Sequence, residues 1–422
     1  MTTHQVVSVF LDLALIILLA RTFGALARRW GQPAVIGEVL AGILAGPTLL
    51  GEDLSLFLFP MEARPFLTAL ANIGIAVFML LVGLEMDENL LRGRGRIAVS
   101  VAVTAIVLPL SLGVCLGFFL ARNHASGNTL GFVLFIGAAM SVTAFPVLAR
   151  ILTDRGLART SLGNIALTCA AIDDVLAWSL LAVVAVVASA TASSLWLLLL
   201  FPVYVAVMAG VVRPVLRRVF PPGSQLDTRR LGMLLGGALV SGAITEWLGM
   251  HFIFGVFIFG VMVPRAGTGA LRQAMRERAG EFNGVFLMPI FFVVAGLKVQ
   301  LSGIGWMGVA ELGLVLLVAV GGKFGGAFLA ARLNRMQTRQ SLALATLMNT
   351  RGLTELIILT AGLQLGILDS SLYSIMVVMA VITTVMAGPL LTLIRPMQGM
   401  PDEEGDRAGE DRRAAAAPGG AA

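Results

Sequence analysis

The stretch SVTAFPVLARIL, Ser141–Leu152, lies in the middle of a long apolar run and puts a proline where a helix should continue. Pro146 has no N–H to give the carbonyl of Val142, so the run is expected to break there. Ser141 and Thr143 add hydroxyl oxygens beside the break. A second run has the same defect. In MNTRGLTELIIL, Met348–Leu359, the residues Asn349, Thr350, Arg351 and Gly352 interrupt an apolar segment roughly 15 Å from its inner end. Irregular backbone at that depth is tolerated only where it is buried in protein or lines a cavity. Counted along the chain, the two runs are the fifth and twelfth of the expected spans, seven apart, so they cross the membrane in opposite directions. Interrupted helices at matching places in two halves indicate inverted repeats with a binding site at the midplane.

Composition supports the membrane setting. The chain has 422 residues, 58% hydrophobic and 13% charged, against about a quarter charged in soluble domains. Long stretches without charge read as membrane-spanning helices. About 13 spans are expected, at roughly 6–23, 33–50, 66–85, 97–121, 129–150, 162–188, 195–213, 231–249, 251–264, 282–301, 305–331, 341–364 and 371–394. The fold class is thus an all-α polytopic membrane protein: two inverted-topology six-helix repeats, a linking helix at about 195–213, and two crossing discontinuous helices.

The formal charge of +6 does not indicate nucleic acid, because the arginines sit in short loops between apolar runs. Alternate loops carry Arg28 and Arg29; Arg92, Arg94 and Arg96; Arg155 and Arg159; Arg217, Arg218, Arg229 and Arg230; Arg272, Arg276 and Arg278; Arg335 and Arg339. Arg64 and Arg122 are the exceptions on the other side. The positive-inside rule places the N-terminus outside and the C-terminus in the cytoplasm. The first apolar run reads as a retained helix, and the polar tail 396–422 as a disordered cytoplasmic segment. Cys115 and Cys169 read as small buried residues, not a disulfide pair.

Charge inside a span costs about 2.5–3.5 kcal/mol on insertion scales and marks function by default. The candidates are Asp173 and Asp174 in AAIDDVLAW, with Lys323, Arg351 and Glu355. Of 30 basic residues only Lys298 and Lys323 are lysine, the cation that can lose its proton on burial. Lys298 reads as an interfacial anchor near a helix end. Lys323 lies about 13 Å from the inner end of its span and the two aspartates about 16–18 Å from theirs, so acid and lysine share a depth and can pair. Adjacent residues on a helix point about 100° apart, so the two aspartates face different neighbours. Arg351 and Glu355, four residues apart, either pair with each other or balance half-helix partial charges. Glu38 lines an entry path or packs between helices.

With these residues located, the sequence resembles the monovalent cation:proton antiporter-2 family, including plant cation/proton exchangers, from about Pro33 to Pro389. The resemblance rests on PAVIGEVLAGILAGPTLLG, GIAVFMLLVGLEMD, SVTAFPVLARIL, AAIDDVLAW, PIFFVVAGLKV, GGKFGGAFLAARL and MNTRGLTELIIL, in that order. It implies a mobile core at about 97–188 and 305–394, scaffold or dimerisation helices at about 6–85 and 231–301, and a homodimer in a bacterial cytoplasmic membrane. By position, Asp174 matches the aspartate that binds cation and proton, Asp173 the acid paired with the lysine of the GK motif, here Lys323, and Thr143 a hydroxyl at the crossing, so Asp174 and Thr143 are the expected cation ligands. Many relatives carry Asn-Asp in place of Asp-Asp. The double acid resembles electrogenic sodium/proton members, whereas SVTAFPVLARIL and NTRGL resemble plant exchangers linked to potassium. No cofactor is expected beyond the transported cation and protons, and no catalysis. A cation channel or a sodium-coupled solute symporter of the same architecture is the alternative. Adjacent acids on one helix cannot flank one scissile bond, which argues against an intramembrane aspartyl protease.

Overall fold

The structure is a computed structural model, which describes residues 3–85, 95–125, 128–157, 160–189, 195–248, 251–264, 267–302 and 305–394. Every regular element among them is helical: α1 Thr3–Arg29, α2 Ala34–Ala45, α3 Pro47–Leu58, α4 Arg64–Glu85, α5 Gly95–His124, α6 Thr129–Ser141, α7 Phe145–Asp154, α8 Ser161–Ser189, α9 Leu195–Val207, α10 Arg213–Val219, α11 Thr228–Trp247, α12 Phe252–Met262, α13 Gly269–Met275, α14 Met288–Leu297, α15 Trp306–Leu333, α16 Thr338–Met348, α17 Leu353–Gln364 and α18 Ser370–Ile394. Wide π turns join α9 to α10, and others lie between α13 and α14. Arg92, Arg94, Arg159 and the expected disordered tail 396–422 lie outside the described residues.

Eight helices among the described residues are long and apolar enough to cross a membrane, or nine if a bent pair is one span. That pair corrects the uninterrupted run expected at 33–50. Helix α2 stops at Ala45, and α3 leaves it at 68°. Gly46 is extended at the joint (φ −79°, ψ 179°) and Pro47 begins α3, where the missing proline N–H costs nothing. The other expected spans fall on helices that are shorter, interrupted or less apolar: α6–α7, α9–α10, α11 and α12. Both cysteines are free. Cys169 is buried, but Cys115 is exposed, on the outward face of α5, contrary to expectation.

The helices pack in two groups. In one, α5 lies against α6, α8 and α15, while α18 lies against α15, α16 and α17. In the other, α2 packs on α1 and α14, and α4 on α12 and α14. The second group depends on close backbone approach. A Cβ on Gly42 of α2 would stand 2.3 Å from the carbonyl of Val293 in α14, and one on Gly296 would stand 2.5 Å from that of Val39. Only glycine lets these two helices meet so tightly, as in small-residue interfaces between membrane helices. Polar contacts link the two helix groups. The Tyr373 hydroxyl donates to the carbonyl of Ala295 at 3.0 Å, and the Gln300 N–H donates to Ser374 Oγ at 2.9 Å.

Candidate functional site

Helix α6 stops at Ser141 because the next residue turns extended (Val142 φ −79°, ψ 141°). The chain resumes as α7 at Phe145, so Pro146 falls in the first helical turn of α7. The proline therefore starts the second half-helix, and the unwound residues are Val142, Thr143 and Ala144. The other interrupted run stops at Met348 and resumes at Leu353. The two breaks meet. The N–H of Ala144 donates to the carbonyl of Thr350 at 3.2 Å, and the Thr143 hydroxyl donates to the carbonyl of Met348 at 2.9 Å. Gly352 permits the approach: its φ is +159°, and a Cβ there would lie 2.7 Å from Val147 Cγ2.

Two buried cations close the end of α6. A helix C-terminus leaves its last carbonyls without partners and carries partial negative charge. Arg351 Nη1 donates to the carbonyl of Ala139 at 2.9 Å, and Nη2 to that of Met140 at 2.7 Å. Lys323 Nζ donates to the carbonyl of Ser141. Each cation also has its own acid. Lys323 Nζ lies 2.8 Å from Asp173 Oδ2, and Arg351 Nη1 lies 2.7 and 2.8 Å from the Glu355 oxygens. Arg351 thus fills both of the roles the sequence left open.

Asp174 stands apart from these neutral pairs. It is buried beside Asp173 in α8 and faces the N–H of Phe145, the first residue of α7. A helix N-terminus favours negative charge. Its Oδ1 has no hydrogen-bond partner, and neither have Asp173 Oδ1 and Asn349 Oδ1. Buried polar atoms almost always find partners, so three orphaned oxygen acceptors at one crossing point to a ligand that accepts oxygen donors.

The expected site residues separate accordingly. Asp173, Asp174, Lys323, Thr143, Asn349, Arg351 and Glu355 are buried at or beside the crossing. Ser141 and Thr350 are there too, but their hydroxyls turn back to the carbonyls of Ala138 and Leu347, each at 2.7 Å. Ser141 meets the crossing through its carbonyl, which holds Lys323. Hydroxyls near a helix end satisfy preceding carbonyls in this way. Glu38 packs against Gly24 of α1, and Lys298 caps the end of α14, half-buried. Sequence reasoning missed Thr384. Its hydroxyl accepts from the Arg351 N–H at 3.2 Å and donates to the Arg351 carbonyl, holding the unwound backbone from α18. The legible signal was the pair Thr383–Thr384 in the otherwise apolar run MAVITTVMAGP.

A helical membrane bundle whose two broken helices cross over buried charges is the architecture of a secondary transporter. The comparisons agree. Residues 14–395 match the family model described as sodium/hydrogen exchanger, transmembrane, and the chain belongs to that family. It is 37% identical to the Na(+)/H(+) antiporter NhaS4 of Synechocystis, over 94% of this chain and 99% of that one. It is 35% identical to cation/H(+) antiporter 15 of Arabidopsis thaliana over 91% of its length, and 31% identical to K(+)/H(+) antiporter 1 of Saccharomyces cerevisiae over 86%. The chain spans about half the length of these plant and yeast relatives, 48% and 44%. Its fold matches the sodium proton antiporter MjNhaP1 from Methanocaldococcus jannaschii, with a TM-score of 0.67 at 15% identity, over 89% of this chain and 98% of that one.

Proposed function

We propose that the chain exchanges protons for a monovalent cation, sodium or potassium, across the membrane by alternating access, with Asp174 as the exchanging group. One observation carries the reading: a buried carboxylate without a cation partner, at the start of a half-helix, where two helix breaks cross. A buried carboxylate holds a proton or a monovalent cation, but not both well. That competition couples the two fluxes with no bond made or broken. The unpartnered oxygens of Asp174, Asp173 and Asn349 are hard donors that replace part of the cation's hydration, as carbonyls do in ion filters. Thr143 gives its hydroxyl proton to the Met348 carbonyl, which leaves the oxygen lone pairs free for the cation.

Asp173 and Lys323 hold the end of α6 in place. If Lys323 lets go of Asp173 during the cycle it releases a second proton, and two protons against one cation move net charge. In this reading the group α5–α8 with α15–α18 is the mobile core, and α1–α4 with α11–α14 the scaffold of a homodimer. Membership of a transporter family, and adjacent acids that serve two different partners, support transport over catalysis. The setting is a bacterial cytoplasmic membrane with the arginine-rich loops inside and the N-terminus outside, in a role in pH homeostasis.

The test is a set of proteoliposomes with a preformed proton gradient. Sodium, lithium, potassium or rubidium is added in turn while internal pH is recorded. Antiport predicts that at least one cation dissipates the gradient. Cation flux without proton counter-movement would establish a channel instead.

A further inference from the structure

A second group of titratable side chains lies away from the crossing, at the opposite end of the core helices from Arg332 and Arg155. His124 ends α5. Its Nδ1 lies 2.7 Å from Asp369 Oδ2, and its Nε2 lies 3.1 Å from Glu311 Oε2. Glu311 is in the second turn of α15, and Asp369 stands just before α18. The remaining carboxylate oxygens are occupied as well. Asn123 Nδ2 donates to Glu311 Oε1 at 3.2 Å, and the Leu372 N–H donates to Asp369 Oδ1 at 2.7 Å. The side chains of His124 and Glu311 are 8% and 6% exposed, and that of Asp369 is 41% exposed.

The chemistry of the ring makes this arrangement specific. A neutral imidazole has one N–H and one lone pair, whereas the protonated ring donates from both nitrogens. With carboxylate oxygens at both nitrogens, a neutral ring would set its lone pair against one of them. The geometry suits the imidazolium. The charged groups that act on the ring are Glu311 from α15 and Asp369 from the turn before α18; on α5 itself, Arg122 is exposed.

We propose that His124, Glu311 and Asp369 form a second proton-binding site, outside the transport path, whose proton clamps the arginine-poor ends of α5, α15 and α18 together. Its effect on exchange rests on the antiport reading above; its effect on stability does not. The opposite end is tied differently. Arg155 Nη2 donates to the carbonyl of Gly388 at 3.0 Å and Nη1 to Thr392 Oγ1 at 2.8 Å, a tie in which neither a histidine nor a carboxylate takes part. Of these two ties, the one at His124 is the one a proton can change. Because α15 carries Lys323 and α18 carries Thr384, the clamp steadies both helices that shape the crossing. It is complete at low pH. As pH rises the ring gives up a proton, one of the two contacts turns repulsive, and α5 loses its hold on α15 or α18. Exchange slows as pH rises on the arginine-poor side.

His124→Gln keeps a donor for one acid and cannot titrate. Thermal unfolding of the purified chain in detergent is followed from the acid end of the ordinary histidine range of about pH 5–8 to well above it, because acids at both ring nitrogens hold the proton. It should show the unaltered protein several degrees more stable than the variant at the acid end, with the gap closing at the alkaline end. Parallel profiles would overturn the proposal. Asp369→Asn provides a second route, because asparagine still caps α18 but offers no charge to the ring; it should flatten the same profile. In oriented proteoliposomes with pH varied on one face at a time, His124→Gln should remove a fall in rate seen only on the arginine-poor face. A flattened stability profile with an unchanged rate profile would refute the control of exchange. Absence of exchange in the unaltered protein as well would refute antiport, while leaving the stability result to decide the proton site.

Discussion

Replacing Lys323 with methionine isolates the energetics of the crossing. The side chain fits a similar volume but has no ammonium. Two groups then lose their partner: Asp173 and the Ser141 carbonyl that ends α6. Lys323 and Asp173 are both 0% exposed, so water cannot substitute. Removing one member of a buried pair costs about 3–5 kcal/mol, because the other charge is stranded, and an unsatisfied buried carbonyl adds about 1–3 kcal/mol. At neutral pH and above, Lys323→Met should therefore lose at least about 3 kcal/mol of stability. The loss should shrink as pH falls, since protonating Asp173 removes the stranded charge. Replacing both partners, Asp173→Asn with Lys323→Met, leaves no charge behind and should recover most of it, the residue being the carbonyl. Chemical or thermal unfolding of purified protein in detergent, with both single variants and the double variant, gives the coupling directly. A Lys323→Met protein as stable as the unaltered one at neutral pH, or a double variant no better than the single, would refute the reasoning.

Two further substitutions test other parts of the site. Thr384→Val removes both contacts to the Arg351 backbone and should raise the cation concentration needed for half-maximal exchange, while Thr384→Ser retains the hydroxyl and should restore it; equal kinetics in both variants would remove Thr384 from the site. Lys298→Gln, at a half-buried helix end, should reduce exchange in vesicles far less than Lys323→Gln, and the reverse ranking would mean that the wrong lysine has been assigned to the crossing.

The helical class and the two interrupted runs were legible because membrane insertion leaves strong one-dimensional marks. Uncharged stretches, Pro146 and the Asn349–Gly352 break are all visible without neighbours. So was the shared depth of Lys323 and the two aspartates, because depth along a helix can be counted from its charged end; that Asp173 is the one paired came from the resemblance. The sequence could not show which group would meet the end of α6. That depends on where α15 and α17 approach it, and Arg351 reaches Ala139 and Met140 across more than two hundred positions of chain. Hydroxyls were the least legible. Ser141, Thr143, Thr350 and Thr384 look alike in sequence, yet Ser141 and Thr350 turn back on their own helices, Thr143 bridges to another, and Thr384 lies within reach of both its own helix and the Arg351 backbone. The bend at Gly46–Pro47 was missed because a glycine–proline pair in an apolar run is compatible with a span continuing to residue 50. The histidine clamp escaped notice because its members lie at three helix ends far apart in the chain.

The central claim is that Asp174 carries the exchange. Its most direct test is proton-coupled cation flux through Asp174→Asn in proteoliposomes, beside unaltered protein inserted to the same extent and unfolding at a similar temperature. Asparagine keeps the shape and an oxygen but has no titrating proton. The account predicts that a cation gradient which drives pH change through the unaltered protein drives none through the variant. Exchange retained at the unaltered rate would contradict it.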